Sequence, residues 1–568
     1  MSRKKCETIK QVAPLWGAAI AAALSASAPA LSKGSLPQCA SLSSLLLRNP
    51  DITAATSAIQ PASSGSPAYC QATITVSALA GVKDGYLPGQ KQQIGLQIAL
   101  PLSSADGGKG GVQGAWNGRT ESMGGAGFQG AFIAYPFSLP TVAAEGYVGS
   151  NTDTGHTSAV PISDDTWALN PDGTLNKGLL LDFGYRAVHE QAVWTKELAS
   201  TYYGAQPKYS YFNGCSTGGR QGYAEAQAYP DDFDGILAGA PGINQDRVYP
   251  SYAWGEIEVN QEVGAPISSA KLTAVTQAAI AACAIDGIIQ DPRACTFNAK
   301  QFVCKGSRSD PANCLTSQEA NAVNKLWSGP TGTSAGSQLW FGSERGTNLN
   351  SAFANAAPDG TAVLRDWIFR KPSFNVVSLS EDGFRKAFLE SELTLHPLMG
   401  GDDPDLSAFE KHGGKIVSYQ GLADEVVFPR GTYNYYNRVS QLQGGITETQ
   451  AFYRFFPVPG NSHCNAFPSN FPNAPLINFN DLFSSLVNWV EHGQAPDSIV
   501  AYNNLTPSLA TVSRPLCKYP DKLVYNGQGS TAVASNFHCQ VETSDPLMNA
   551  ENALPDPAEN LQYHGSWW

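Results

Sequence analysis

Charge is scarce in this chain. Only 15% of its 568 residues are charged, against roughly 25% in an ordinary soluble protein. Acids outnumber bases 48 to 36, for a net charge of −12. A surface of that sign repels polyanions, so nucleic acid is excluded as a partner. Low charge beside 42% apolar residues is the reverse of a disordered composition. None of the 11 cysteines stands in a Cys-x-x-Cys pair, so the paired-ligand spacing of zinc sites is missing. Beyond the N-terminal stretch no apolar run reaches membrane-spanning length. There is no internal repeat and no low-complexity tract.

The N-terminus has a different character. Arg3, Lys4, Lys5 and Lys10 precede an apolar stretch from Leu15 to Leu24, and Ala26-Ser27-Ala28 follows. Basic, apolar, then small is the order of a secretory signal peptide. The apolar part is too short and too alanine-rich for a good membrane span. Residues 1–28 are therefore expected to be removed, leaving a chain of net charge near −15, exported to periplasm or medium, with no membrane span. Cys6 precedes the apolar run and is not placed for lipid attachment. Ten cysteines remain, and an even number in an exported chain points to disulfides. Proximity pairs Cys39 with Cys70, Cys283 with Cys295, Cys304 with Cys314, and Cys517 with Cys539. Cys215 and Cys464 are left over. Spacing alone does not establish this connectivity.

The length exceeds one ordinary core, so a large domain with an inserted or second domain is expected. From about residue 39 to 245, strand-like and helix-like segments alternate. "QQIGLQIALPL" (Gln92–Leu102) and "KYSYFNG" (Lys208–Gly214) read as strands. "LDFGYRAVHEQAVWTKELASTYYG" (Leu181–Gly204) has helical spacing. Residues 246–405 change character. They hold a capped amphipathic helix from Ser268 and a second helix with a Thr316–Glu319 capping box ending at Gly329. This segment reads as an insertion stapled by two of the local disulfides. Strand and helix patterns resume over 406–568, with "GKIVSYQGLAD", "AFYRFFPVPGNSHC" and a closing helix, Asp481–Gly493. Alternating strands and helices are the mark of an α/β fold.

Chemistry concentrates at "NGCSTGGRQG", Asn213–Gly222. Gly214-Cys215-Ser216-Thr217-Gly218 is a Gly-x-Ser-x-Gly between a strand and a helix, the setting of a nucleophile elbow. A serine needs a base, and that elbow takes its partners in the order Ser, acid, His. Of eight histidines only His463 follows a strong strand at a Pro-Gly turn, and Asp424 follows another strand 39 residues earlier. Asp424 would hold the imidazole tautomer of His463, the base for Ser216. Cys215 and Cys464 adjoin Ser216 and His463; a bridge between them would clamp nucleophile to base. An oxyanion hole needs two N–H donors. Thr217 supplies one, and the glycine loop "WNGRTESMGGAGFQG" (Trp116–Gly130) is the candidate for the other. That loop also spells Gly125-x-Gly127-x-x-Gly130, but Pro136 and Pro140 break the helix a dinucleotide site requires.

These segments, with "SNTDTGH" (Ser150–His156) and "RQGYAEAQAYPDDFDGILAGAPG" (to Gly242), resemble the tannase/feruloyl esterase family from about residue 39 to 540. The resemblance implies an α/β-hydrolase core over 29–245 and 406–568 with a lid over 246–405. It implies Ser216 as nucleophile, Asp424 as acid, His463 as base, and Gly127 with Thr217 as oxyanion donors. It implies a Cys215–Cys464 disulfide beside the four local ones. The expected activity is hydrolysis of small aromatic (phenolic) acid esters through an acyl-enzyme, with no cofactor for the chemistry. Another acyl hydrolase on this fold, such as a peptidase or a terephthalate monoester hydrolase, and a non-catalytic phenolic-binding protein are the alternatives. The family's lid carries a calcium loop of several acids. Here Cys283–Cys295 keeps only its end, Asp286 to Ile289, leaving Asp286 and Ile288 as ligands. Calcium takes six to eight oxygens, so a disulfide loop without metal is the favoured reading.

Overall fold

A computed structural model describes residues 36–545 except 64, 78–92, 109–114, 131–137, 157–162, 306–312, 333–337 and 468. The signal-peptide reading over 1–28 lies outside the described residues. Nine strands make the main sheet: β1 (Ile52–Gln60), β2 (Tyr69–Val76), β3 (Ile94–Pro101), β4 (Arg119–Met123), β5 (Val148–Thr152), β6 (Tyr209–Cys215), β7 (Gly235–Gly239), β8 (Lys415–Gly421) and β9 (Tyr453–Val458). Their order is β1-β2-β3-β5-β4-β6-β7-β8-β9. The first four in that order pair antiparallel; from β5 to β9 every pairing is parallel. Parallel strands need crossover helices, which cover both faces and bury the strands completely. Accordingly β7 is buried throughout, and β6 and β8 at all but their first residue. Edge strand β1 is largely exposed or half-buried.

Eight helices carry most of the rest: α1 (Ala187–Tyr203), α2 (Thr217–Ala228), α3 (Gln245–Glu262), α4 (Ser269–Cys283), α5 (Ser317–Ser328), α6 (Glu381–Met399), α7 (Pro429–Leu442) and α8 (Phe479–His492). Helix α8 buries Phe479, Leu482, Phe483, Leu486 and Val487, an i, i+3, i+4 stripe. That stripe packs with Tyr211, Leu237 and Val417 of the sheet. A separate core joins Val188 of α1, Tyr223 of α2 and Tyr436 of α7 to Phe212, Ile236 and Ile416. Strand residues alternate between faces, so helices flank the sheet on both sides. This is the α/β-hydrolase architecture.

Between β7 and β8 the described residues add no strand to the main sheet. Helices α4 and α5 share a small core around Val275, Phe297, Val323 and Trp327. The expected capping box closes α5: the Thr316 hydroxyl accepts from the Glu319 N–H at 3.1 Å, and the Glu319 carboxylate accepts from the Thr316 N–H at 2.8 Å. Ser268 sits at the N-cap of α4 but its side chain caps nothing, contrary to expectation. Helices α3 and α6 pack instead into an aromatic core with Phe128, Phe183 and Phe428. The five cysteine pairs named above are all bridged.

Candidate active site

Strand β6 runs straight into Ser216, which has φ 65 and ψ −122 and is followed at once by α2. A serine at positive φ is strained by roughly 1–3 kcal/mol. It is held there because its N–H donates to the Gly239 carbonyl of β7 at 2.9 Å and the chain folds back tightly. A Cβ on Gly214 would lie 2.6 Å from the Gly218 backbone, and one on Gly218 would lie 3.2 Å from the Gly124 Cα. Gly214 admits no Cβ without backbone movement, and a Cβ at Gly218 would press the Gly124 backbone. The remaining letters of the motif anchor it. The buried Arg220 guanidinium donates to the carbonyls of Phe183 and Gly184, and Gln221 accepts the Gly125 N–H at 2.8 Å.

Asp424 lies in the turn after β8, fully buried. One carboxylate oxygen accepts the N–H groups of Val426 and Val427 at 2.8 and 2.7 Å. The other accepts from Gln420 at 2.9 Å and from His463 Nδ1 at 2.8 Å. Gln420 is oriented in turn by the Thr432 hydroxyl at 2.9 Å. His463 follows β9 and is 6% exposed. Burial pulls its imidazole down, but the Asp424 charge and hydrogen bond, with help from Glu425, leave it above its ordinary 6.5. The His463 N–H donates to Glu425 at 3.1 Å. Burial, and next the Asp424 charge, push Glu425 up to about 7.

The structure brings Ser216 and His463 together through their neighbours. Cys215 and Cys464 are bridged with Cα atoms 6.2 Å apart. Among the described residues Ser216 Oγ makes no hydrogen bond to the imidazole. Such a bond commonly tightens only when substrate fills the site.

The glycine loop leans on the elbow. Gly218 N–H donates to the Gly125 carbonyl at 3.0 Å, and the Thr217 hydroxyl donates to the Gly127 carbonyl at 2.6 Å. Gly127 has φ 56. The N–H groups of Gly127 and Thr217 have no acceptor among the described residues. Thr217 opens α2, so the positive end of the helix dipole adds to its N–H.

The calcium ligands do not assemble. Asp286 is exposed in a tight turn where Ile285 and Ile288 exchange both backbone hydrogen bonds. The Ile288 carbonyl is thus engaged within its own turn. One carboxylate and one occupied carbonyl do not make a hard-cation site. Arg293 organises the end of this loop. Its guanidinium pairs with Asp291 at 2.8 Å and Asp545 at 2.7 Å and lies 3.9 Å over the Tyr433 ring.

The profile of the family "Tannase and feruloyl esterase" matches residues 111–540. The chain belongs to this family. A probable feruloyl esterase of Arthroderma benhamiae is 34% identical over 487 residues, covering 83% of this chain and 85% of that one. An uncharacterized esterase of Xanthomonas campestris is 31% identical over 522 residues, covering 83% and 87%. The crystal structure of feruloyl esterase B from Aspergillus oryzae superposes with a TM-score of 0.70 at 25% identity, covering 88% of this chain and 99% of that one. Tannin acyl hydrolase from Aspergillus niger shares the fold at a TM-score of 0.72 and 20% identity, over 94% and 100%. As a tannase/feruloyl esterase family member this chain is a carboxylic ester hydrolase. Sequence reasoning missed the roles of Gln221, Gln420 and Glu425. Only their adjacency to the elbow and to Asp424 marked them.

Proposed function

We propose that this chain is an exported serine esterase that cleaves esters of aromatic acids, of tannase or feruloyl esterase type. The observation that carries the proposal is the His463–Asp424 hydrogen bond, tied by a disulfide to the strained elbow of Ser216. His463 takes the Ser216 proton as Oγ attacks the ester carbonyl. Asp424 holds the tautomer with Nδ1–H toward itself, freeing Nε2 as base, and stabilises the imidazolium that forms. The oxyanion is held by the N–H groups of Gly127 and Thr217. His463 returns the proton to the departing alcohol oxygen, leaving an acyl-Ser216. Water, deprotonated by His463, then attacks, and the acid departs.

The aromatic preference is supported by the surroundings and by relatives. Phe128, next to Gly127, packs against Tyr249 and Trp367 at 5.0 and 5.4 Å between ring centroids. Both partners belong to the 246–405 segment, which we read as the lid that decides which acid fits. Relatives of this chain are named feruloyl esterases, and one structural neighbour is named a tannin acyl hydrolase. Export is supported by the N-terminal basic–apolar–small pattern and the disulfides; N-terminal sequencing of the mature protein tests it. No helix among the described residues is long and apolar enough to cross a membrane. Methyl gallate and methyl ferulate should be hydrolysed by the native chain and not by Ser216→Ala. A fluorophosphonate should label Ser216. Full activity of Ser216→Ala would overturn the assignment. Preference for a terephthalate monoester would overturn the substrate class alone.

A further inference from the structure

The segment "SNTDTGH" (Ser150–His156) contributes nothing to the three proposed catalytic side chains, yet it ends in a buried histidine. His156 is 7% exposed and lies in the loop after β5. Its Nε2 is 2.8 Å from the Phe128 carbonyl and its Nδ1 is 3.2 Å from the Thr154 hydroxyl. The ring stacks on Trp167, with centroids 4.0 Å apart and planes 10° apart. We propose that His156 is a positioning residue for oxyanion stabilisation: by holding the Phe128 carbonyl it keeps the Gly127 N–H aimed at the reacting carbonyl. This rests on the reading that Gly127 supplies one oxyanion donor.

The geometry of the turn carries the inference. Ala126 and Gln129 exchange both backbone hydrogen bonds, at 3.1 and 3.0 Å, so Gly127 and Phe128 are the two central residues of a tight turn. Rotation of a peptide plane is the soft motion of such a turn, since each residue has only two free dihedrals. Two oxygens fix these planes from outside. The Gly127 carbonyl accepts from the Thr217 hydroxyl, and the Phe128 carbonyl faces His156. The Phe128 carbonyl shares its peptide plane with the Gln129 N–H, which donates to the Ala126 carbonyl at 3.0 Å, and that carbonyl shares its plane with the Gly127 N–H, so His156 acts on the donor through two linked planes.

The chemistry of the ring fits that task. A carbonyl only accepts, so Nε2 carries the proton toward Phe128, while Nδ1 lies 3.2 Å from the Thr154 hydroxyl, which donates to the Asp153 carbonyl at 2.8 Å. Burial draws His156 down to about 4, which keeps it neutral at working pH. Thr154 is itself fully buried, with φ 54. Gly155 N–H donates to Asp153 at 2.8 Å, as does Gly95 N–H of β3, so the support is anchored to the sheet. If the ring only filled space between Trp167 and Phe183, an apolar ring would do so without the cost of burying polar nitrogens.

The test uses the full-length protein and 4-nitrophenyl acetate, a substrate most serine esterases accept, so failure on methyl ferulate would not be confused with failure here. His156→Phe keeps the stack and loses the donor. His156→Gln keeps an N–H donor. Rates are expressed per site labelled by a fluorophosphonate, which removes misfolded protein from the count. Losing an oxyanion donor outright costs about 10²–10³ in kcat, so a misaimed one should cost about 10–100-fold. KM should stay within about twofold, because the contact forms only in the transition state. An arylboronic acid, which places an anionic oxygen in the hole, should lose affinity by about the same factor. His156→Gln should recover part of the loss. If kcat per labelled site and boronate affinity stay at the native value in His156→Phe, His156 is only a packing residue and the proposal is wrong. Should His156→Phe fail to fold, native kcat in both His156→Gln and His156→Ala would overturn it equally, while loss in the alanine variant with recovery in the glutamine variant would support it.

Discussion

Cys215 and Cys464 lie 249 residues apart in sequence and 6.2 Å apart in space, and each is the chain neighbour of a residue proposed for proton transfer. The bridge joins the end of β6 to the loop after β9, strands that are separated in the sheet by β7 and β8. It therefore acts on both stability and geometry.

The double variant Cys215→Ala/Cys464→Ala should lose stability in denaturant unfolding. Removing a native disulfide costs about 2–5 kcal/mol, more for a long loop. In the protein that remains folded kcat should fall more than KM rises, because misplacing reacting groups by about 1 Å can cost about 100-fold. Unchanged stability and kcat would show that the bridge is no clamp.

The pH profile follows from His463. The base works when neutral, and its pKa stands above the ordinary 6.5 because the Asp424 and Glu425 charges outweigh burial. Activity should therefore be full at alkaline pH and fall, as pH drops, at a value above 6.5. Glu425→Gln removes one of those charges and should move the acid limb of kcat/KM downward. Asp424→Asn should lower kcat by about 10⁴, as loss of the orienting acid does in serine proteases. An acid limb that ignored Glu425→Gln would rule out its electrostatic role.

Glu121 gives a prediction on stability. It is fully buried on β4 and accepts from Asn213 at 3.0 Å. Burial raises it from 4.5 to about 8. Below pH 4.5 it is protonated folded or unfolded, and its stabilising effect is complete. Between 4.5 and about 8 the unfolded chain releases the proton that the folded chain keeps, so stability declines as pH rises. Glu121→Gln keeps the acceptor and removes the titration. Its melting temperature relative to native should rise from pH 5 to pH 8; a constant difference would refute the reading.

Arg293 ties the end of the Cys283–Cys295 loop to Asp545 and the Tyr433 ring, and no calcium is expected to stabilise this loop. Addition of EDTA should leave the melting temperature unchanged. Arg293→Ala removes the guanidinium partner of Asp291 and Asp545, the latter still accepting from the Tyr519 hydroxyl at 2.8 Å, and should lower the melting temperature. A clear drop with EDTA, restored by calcium, would contradict this.

The strands and helices nearest the elbow were legible because their periods are strong. Val-, Ile- and aromatic-rich runs became β3, β6, β8 and β9, and the α8 stripe is visible in "FNDLFSSLVNWVEH". Ser216, Asp424 and His463 could be proposed from the sequence because each follows a strand at a turn. The sequence misled on the cap of α4, where Ser268 has the expected residue type but makes no bond. Whether a cap forms depends on a dihedral that composition does not encode.

By itself the sequence determined which residues could react, their order along the chain, and the cysteines beside them, since all of these are local properties of residue type and neighbour. Only the tertiary structure decided who orients whom. Gln420 on Asp424, Gln221 on Gly125 and His156 on Phe128 are contacts between segments brought together by sheet order. A hydrogen bond reaches about 3 Å, so its partner is known only once the chain is folded.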